Sequence, residues 1–558
     1  MSLSPRVPFA PVSSKARRSI RRVDRSLRRS STYPHPAGCV HRIETHLSIV
    51  FLAGRYAYKL FKPVKFDFVD LTRLARRRQC VQAEFTLNQA LAKPLYLGVW
   101  PIIARGRYCV LGSDSHLRAG HGQRSHRAAV DYVVRMRRFD ANAVLSARCA
   151  RLDDGLADAD ALATRLAHYH LHAPRRAPRA CYGSADMVQS QLQPLAAMLN
   201  RALPTELALR VKCEAELARI APTLHARHAN GFIRACHGDL HLDNIVRWRN
   251  QLLMFDCIEF DDSLRWIDVA SDLAFALMDF TAHGREDCAH RLLFGWLRAT
   301  GDYGALRVLP FYMAWRALVR ALVTHLRGDD SACARYRHVA AECTRHMATA
   351  RPSLLLCHGV SGSGKSLASV TLAQRLGAIH LSSDVERKRL ADVPDSVRLP
   401  ARDYAAARVD AIYDRLLGHA QTVLESGYTA IVDATFLRAR NRDVFIALAH
   451  RLGIQVVILD FTADRATLFA RVEARVAKGQ DPSDAGPAVL ADQLARSEPL
   501  TEKELALAVR FDTGVAPQAY DDHAFWKPLL EALRCQRAID NSPAAADESI
   551  VGEASSDA

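Results

Sequence analysis

The stretch Gly359-Val360-Ser361-Gly362-Ser363-Gly364-Lys365-Ser366 limits what this chain can fold into more than any other part of it. It fits G-x-x-x-x-G-K-[ST], with an apolar run from Leu354 to Leu356 before it and a helical pattern after it. Glycines let successive N–H groups of such a loop turn inward, and the following helix N-terminus adds a favourable dipole, so the loop suits phosphate oxygens. Lys365 can then reach the β- and γ-phosphates, and the Ser366 hydroxyl can ligate Mg²⁺. Around the motif, β-like and helical segments alternate through SLLLCHG, AIHLSSD, YTAIVDA, IQVVILDF and ALAVRFDTG. That alternation predicts a parallel sheet with crossover helices.

Two of these strands end in an acid, Asp433 and Asp460, and either could hold the shell of a nucleotide-bound Mg²⁺. Another ends in Ser382-Ser383-Asp384, with Arg387 close behind. Arg471 and Arg475 stand four residues apart, on one face of a helix. From Ser353 to Thr513 the segment resembles the small P-loop kinases: gluconate kinase, zeta-toxin-type kinases and polynucleotide kinase. The resemblance implies that Asp384 meets the acceptor hydroxyl as a base and that Arg387 clamps the substrate. An N-cap aspartate opening a basic helix is the plainer alternative. It also implies that the third strand adjoins the P-loop strand, which favours Asp433 over Asp460. Arg471 and Arg475 would belong to a lid over the phosphates, with Arg442 as a further candidate.

A second constellation lies upstream. His237-Gly238-Asp239-Leu240-His241-Leu242-Asp243-Asn244 fits H-x-D-x-x-x-x-N, and the apolar strand QLLMFDC ends in Asp256. The spacing has a mechanical reason, since one loop must place a carboxylate beside an acceptor hydroxyl and, five residues on, an amide oxygen on Mg²⁺. A second carboxylate then holds the metal that bridges the nucleotide phosphates. The pairing resembles the aminoglycoside and choline phosphotransferases, a branch of the protein-kinase fold, over about His41 to Thr349. On that resemblance Asp239 is the base or hydroxyl-orienting group, and Asn244 and Asp256 are metal ligands. Lys59 in YAYKLF matches the phosphate-holding lysine, with Glu84 as its ion-pair partner, while Lys62 and Lys65 compete for the lysine's role. Glu259 could support the metal shell, and a packing role is expected for His241. The sequence departs from a protein kinase in having no G-x-G-x-x-G, THLSIVFLAG standing in its place. Gly238 stands where those kinases carry Arg, and no Phe-Gly follows Asp256.

The order of the two constellations resembles bacterial proteins described as bifunctional aminoglycoside phosphotransferase/ATP-binding proteins. The expected fold class is thus multidomain, α/β and α+β. A two-lobed kinase-like domain spans 37–349, with lobes of about 37–136 and 137–349, and a P-loop domain spans 350–535. The implied activity is transfer of the ATP γ-phosphoryl to a hydroxyl of an unidentified small molecule, with Mg²⁺. The alternatives are a pseudokinase half regulating a P-loop ATPase or kinase, and a polynucleotide or zeta-toxin-like kinase.

Bulk properties frame this reading. At 558 residues the chain needs more than one core, and 49% hydrophobic with 24% charged residues is ordinary for a globular protein. The 13 cysteines include no CxxC pair, which fits reduced thiols in the cytoplasm. No run is apolar and long enough to cross a membrane. Up to Ser31 there are nine basic residues against one acid, nearly half of the net charge of +17. Residues 1–36 are therefore expected as a basic disordered tail rather than a nucleic-acid arm, and 536–558 as a disordered acidic one.

Overall fold

The computed structural model describes all residues except 1–13, 67–68, 113–128, 150, 152–154, 176, 396, 401–402, 404, 479–482 and 541–558. The chain divides into two compact units, one of residues 1–300 with 308–344, the other of 301–307 with 345–558. The boundary expected at 349/350 therefore falls a few residues early, and the short segment Gly301–Arg307 clusters with the second unit. Among the described residues no helix is long and apolar enough to cross a membrane.

The first unit opens with helix α1 (Ser14–Leu27), then strands β1 (His41–Glu44), β2 (Ser48–Ala53) and β3 (Tyr56–Phe61). Helix α2 (Leu74–Ala92) and strands β4 (Tyr96–Arg105), β5 (Tyr108–Leu111) and β6 (Ala129–Arg137) follow. The strands form one antiparallel sheet in the order β1-β2-β3-β6-β4-β5. Alternating side chains give it two apolar faces, and each needs cover. One face, with Phe61, Leu95, Tyr132 and Val134, packs against Val81 of α2. The other, with Phe51, Tyr58, Trp100 and Val133, packs against Val23 and Leu27 of α1.

That second contact corrects the expected tail. From Ser14 onward the basic segment is a helix whose i, i+4 pair Val23 and Leu27 is fully buried, while Arg18, Arg21 and Arg25 stay exposed. Charge counting alone hid a short apolar stripe. Val23→Asp would bury an unpaired carboxylate, and should cost the first unit at least about 2 kcal/mol in urea unfolding. At the other end the last helix runs to Asp540, past the expected domain end at 535, and residues 541–558 lie outside the described residues.

The rest of the unit is mainly helical, as expected. It comprises α3 (Gly155–His172), α4 (Ala185–Ala202), α5 (Leu207–Ala229), α6 (Val269–Ala282), α7 (Glu286–Thr300), α8 (Leu309–Leu326) and the part of α9 (Asp330–Thr349) up to Thr344. Between α5 and α6 lie two small ladders. β7 (Ile233–Ala235) pairs with β10 (Trp266–Asp268), and β8 (Ile245–Trp248) pairs with β9 (Gln251–Met254).

The second unit holds a parallel sheet of β11 (Ser353–His358), β12 (Ile379–Ser382), β13 (Ala430–Asp433), β14 (Gln455–Thr462) and β15 (Ala508–Asp512). Its order is β12-β13-β11-β14-β15. The helices that matter below are α10 (Lys365–Leu376), α11 (Ser383–Leu390), α12 (Ala406–Glu425), α13 (Ala439–Arg451), α14 (Arg465–Lys478) and α15 (Pro487–Arg496). Parallel strands need such crossovers, and they leave every strand's C-terminal end on one edge, where ligands of open α/β sheets bind.

Candidate active sites

In the first unit the β8–β9 register pairs Ile245 with Met254, and the Phe255 N–H donates to the Asn244 carbonyl at 2.9 Å. Asn244 thus lies at the hairpin's open end, next to Asp256. The Asn244 amide N–H donates to the Asp239 carbonyl (2.9 Å) and carboxylate (3.3 Å), which leaves the amide oxygen available to a cation. Asp256 has φ +64°, a left-handed conformation tolerated by Asp at a cost. Its N–H donates to the Tyr96 hydroxyl at 3.1 Å, and the next N–H donates to Asn88 Oδ1 on α2 at 3.2 Å.

Lys59, on β3, is buried, donates to Glu84 Oε1 at 3.0 Å and makes a short contact with Asp256 Oδ1. Its rivals pair elsewhere, Lys62 with Glu44 (3.1 Å) and Lys65 with Asp70 (3.7 Å). Helix α2 is held over the sheet by the buried pair Arg77–Asp131 at 2.8 Å, which fixes where Glu84 stands. Lys59 on β3, Glu84 on α2 and Asp256 after the hairpin thus stand together, and Asp239 and Asn244 are bonded to one another in the loop.

The loop around Asp239 hangs on two acids the sequence reading did not single out. Asp272 accepts from the N–H groups of His237 (3.1 Å) and Gly238 (2.9 Å), and Asp279 from the N–H of Leu242 (2.7 Å). Both are fully buried on α6. His170 accepts from the Trp296 indole at 3.1 Å, so its other nitrogen donates to Asp272 at 3.2 Å. Tyr336 donates to Asp279 at 2.6 Å. The signal was legible: two acids seven apart inside the apolar run DLAFALMDF. Asp272→Asn should cost about 2 kcal/mol through weakened charge-assisted bonds, read as faster amide exchange at 237–238.

Burial works against the Asp239 charge, yet His241 beside it, with Arg320 behind, holds its carboxyl well below the usual range. His241 Nε2 lies 3.4 Å from Asp239 Oδ2, so this histidine faces the candidate base rather than merely packing. Gly238 has φ +87°, and a Cβ there would meet the Leu264 carbonyl at 2.7 Å, so the arginine of protein kinases has no room.

In the second unit the P-loop runs from β11 into α10. Gly364 (φ +79°) caps α10, and a Cβ on it would meet the Tyr520 hydroxyl at 2.8 Å. The Ser361 N–H donates to Gln493 Oε1 of α15 at 2.8 Å, a contact with no sequence signal. Thr513 Oγ1 donates to the Ser363 carbonyl at 2.7 Å. Asp433 pairs in register with Cys357 on one side and Ser382 on the other. It is buried, its Oδ1 has no hydrogen-bond partner, and His380 Nε2 lies 3.6 Å from Oδ2. An orphaned carboxylate oxygen beside the P-loop strand fits a magnesium ligand, as does the Ser366 hydroxyl in the first turn of α10. Asp460, the rival, is already engaged by His358 (2.8 Å) and Arg510 (3.1 Å).

Asp384 and Arg387 form a short i, i+3 ion pair at the start of α11, consistent with a joint place at the strand ends. The lid arginines separate. Arg471 reaches the P-loop, donating to the carbonyls of Gly362 (3.4 Å) and Thr513 (2.6 Å). Arg475 instead donates to the Ala485 carbonyl at 2.9 Å, so the shared helical face does not bring both to the loop. Arg442 is no lid residue either. It is fully buried, bonded to Glu504 (2.5 and 3.0 Å) and to the carbonyls of Phe436, Glu498 and Pro499.

Comparison with known proteins matches residues 123–309 to the Phosphotransferase enzyme family and residues 354–500 to an AAA domain. An uncharacterized protein of Mycobacterium tuberculosis (strain H37Rv) is 31% identical over 472 residues, 81% of this chain and 89% of that protein. A counterpart in Mycobacterium bovis matches to the same extent. The chain belongs to their family. It joins an aminoglycoside-phosphotransferase-like domain to a P-loop kinase domain. Among solved structures, a choline/ethanolamine kinase family protein from Mesorhizobium loti is 13% identical, covering 58% of this chain and 95% of its own at TM-score 0.34. A gluconokinase from Sinorhizobium meliloti 1021 is 21% identical, covering 34% and 99% at TM-score 0.24. Two kinase-type domains in one chain fit a phosphotransferase.

Proposed function

We propose that both units bind Mg·ATP and pass its γ-phosphoryl to a hydroxyl of a small-molecule acceptor. The observation that carries this is the separation of roles around Lys59, Asp239, Asn244 and Asp256, repeated with other residues around the P-loop. Phosphoryl transfer has a loose, highly charged transition state, so it needs positioning and cations more than covalent chemistry. Asp239, kept ionised by its neighbours, orients or deprotonates the acceptor hydroxyl in the first unit. Lys59, aligned by Glu84, holds phosphate oxygens, and Asn244 and Asp256 would hold the metal. In the second unit the P-loop amides, Lys365 and Arg471 surround the phosphates, and Ser366 and Asp433 would hold the metal. Asp384 serves as base there and Arg387 as the substrate clamp. Magnesium, when bound, supplies charge neutralisation between the phosphates.

The test is a screen of hydroxyl-bearing metabolites with γ-labelled ATP and Mg²⁺, using the full-length chain and following label in the acceptor. Labelled acceptor that disappears without Mg²⁺ supports the reading. Absence of saturable ATP binding to the wild-type chain overturns it.

A further inference from the structure

Three carboxylates, Glu84, Asp256 and Glu259, bring oxygens within 4.8 Å of one another beside Lys59. Glu84 is wholly buried, and its Oε2 has no hydrogen-bond partner. The Tyr96 hydroxyl is near enough to favour the Glu84 anion but makes no hydrogen bond of good geometry to that oxygen. Among the described residues the only cation paired with these acids is Lys59, one positive charge against three negative. Glu84 is buried and Asp256 and Glu259 are half-buried, and an excess of negative charge reaching into the interior favours a further cation.

We propose that Glu84, Asp256 and Glu259 hold a divalent cation on the α2 side of Asp256, distinct from the one Asn244 would help bring to the nucleotide. Two further charges bring the cluster to neutrality. All candidate ligands are carboxylate oxygens, the choice of hard ions such as Mg²⁺ or Ca²⁺. Access is available, because Glu259 also lines an open cleft of about 1080 Å³ along the outer face of α2, with Gln79, Ala83 and Phe260. The strained φ of Asp256 fits a carboxylate held for ligation. An ion here would share the oxygens that now grip Lys59, and so loosen the ammonium toward incoming phosphates.

The experiment uses the full-length chain without nucleotide and Tb³⁺ as the probe, with emission excited through tyrosine, since Tyr96 borders the cluster. The expected result is saturable emission displaced by Ca²⁺ or Mg²⁺, weakened at least about tenfold in Glu259→Gln and unchanged in Asn244→Ala. Circular dichroism checks folding, and Glu84→Gln replaces Glu259→Gln should the latter unfold. Emission equally strong in the Glu variants, or lost in Asn244→Ala but not in Glu259→Gln, overturns the proposal. So does a wild-type chain with no saturable signal. No ATP enters the assay, so its failure leaves the phosphotransfer reading standing.

Discussion

Asp239→Asn in the full-length chain is expected to slow labelling of the first unit's acceptor by about 10²–10⁴-fold, the usual contribution of a positioned base. The amide keeps the size and hydrogen-bonding reach of the carboxylate but cannot take a proton or carry the charge that His241 and Arg320 stabilise. Lys365→Ala should act on the other acceptor, by about 10²–10³-fold, because it removes a preorganised cation from the developing charge. Each variant should leave the other acceptor's labelling near wild type. Parallel loss of both products in Asp239→Asn would contradict two separate centres. Full labelling in Asp239→Asn, with loss in Lys365→Ala alone, would make the first unit a pseudokinase.

The centres were legible in the sequence to different depths. The P-loop is contiguous, and its glycines are needed for backbone geometry alone, so eight residues announce the loop and the parallel sheet behind it. Asp239, Asn244 and Asp256 were legible because one loop and one hairpin bring them together with little help from the rest of the fold. Lys59 needed the structure, since three nearby lysines share a strand-like stretch and only pairing separates them. What stayed hidden was long-range. Gln493 reaches the Ser361 N–H from 132 positions away. The buried pair Val23 and Leu27 gained meaning only once an uncovered sheet face lay against it. Arg471 and Arg475 share a helical face, yet a face spans more than one neighbour, and the second arginine met Ala485 instead of the loop.

Arg442 shows how a residue mistaken for function becomes a stability test. Its guanidinium is 0% exposed and joins α13 to the Glu498–Glu504 segment through one carboxylate and two carbonyls, with a third bond to the Phe436 carbonyl just before α13. Glu504 in turn closes a capping box with Thr501. Arg442→Ala would leave a buried carboxylate facing a cavity and three carbonyls without donors, and should destabilise the second unit by about 3–5 kcal/mol. Hydrogen exchange of β13 and β14 peptides reads this directly, since their protection tracks opening of that unit. Because the loss comes from an orphaned charge more than from the pair's own strength, Arg442→Met with Glu504→Met should recover a good part of it. A double variant as unstable as the sum of the single ones would mean that the guanidinium acts through its backbone carbonyls alone.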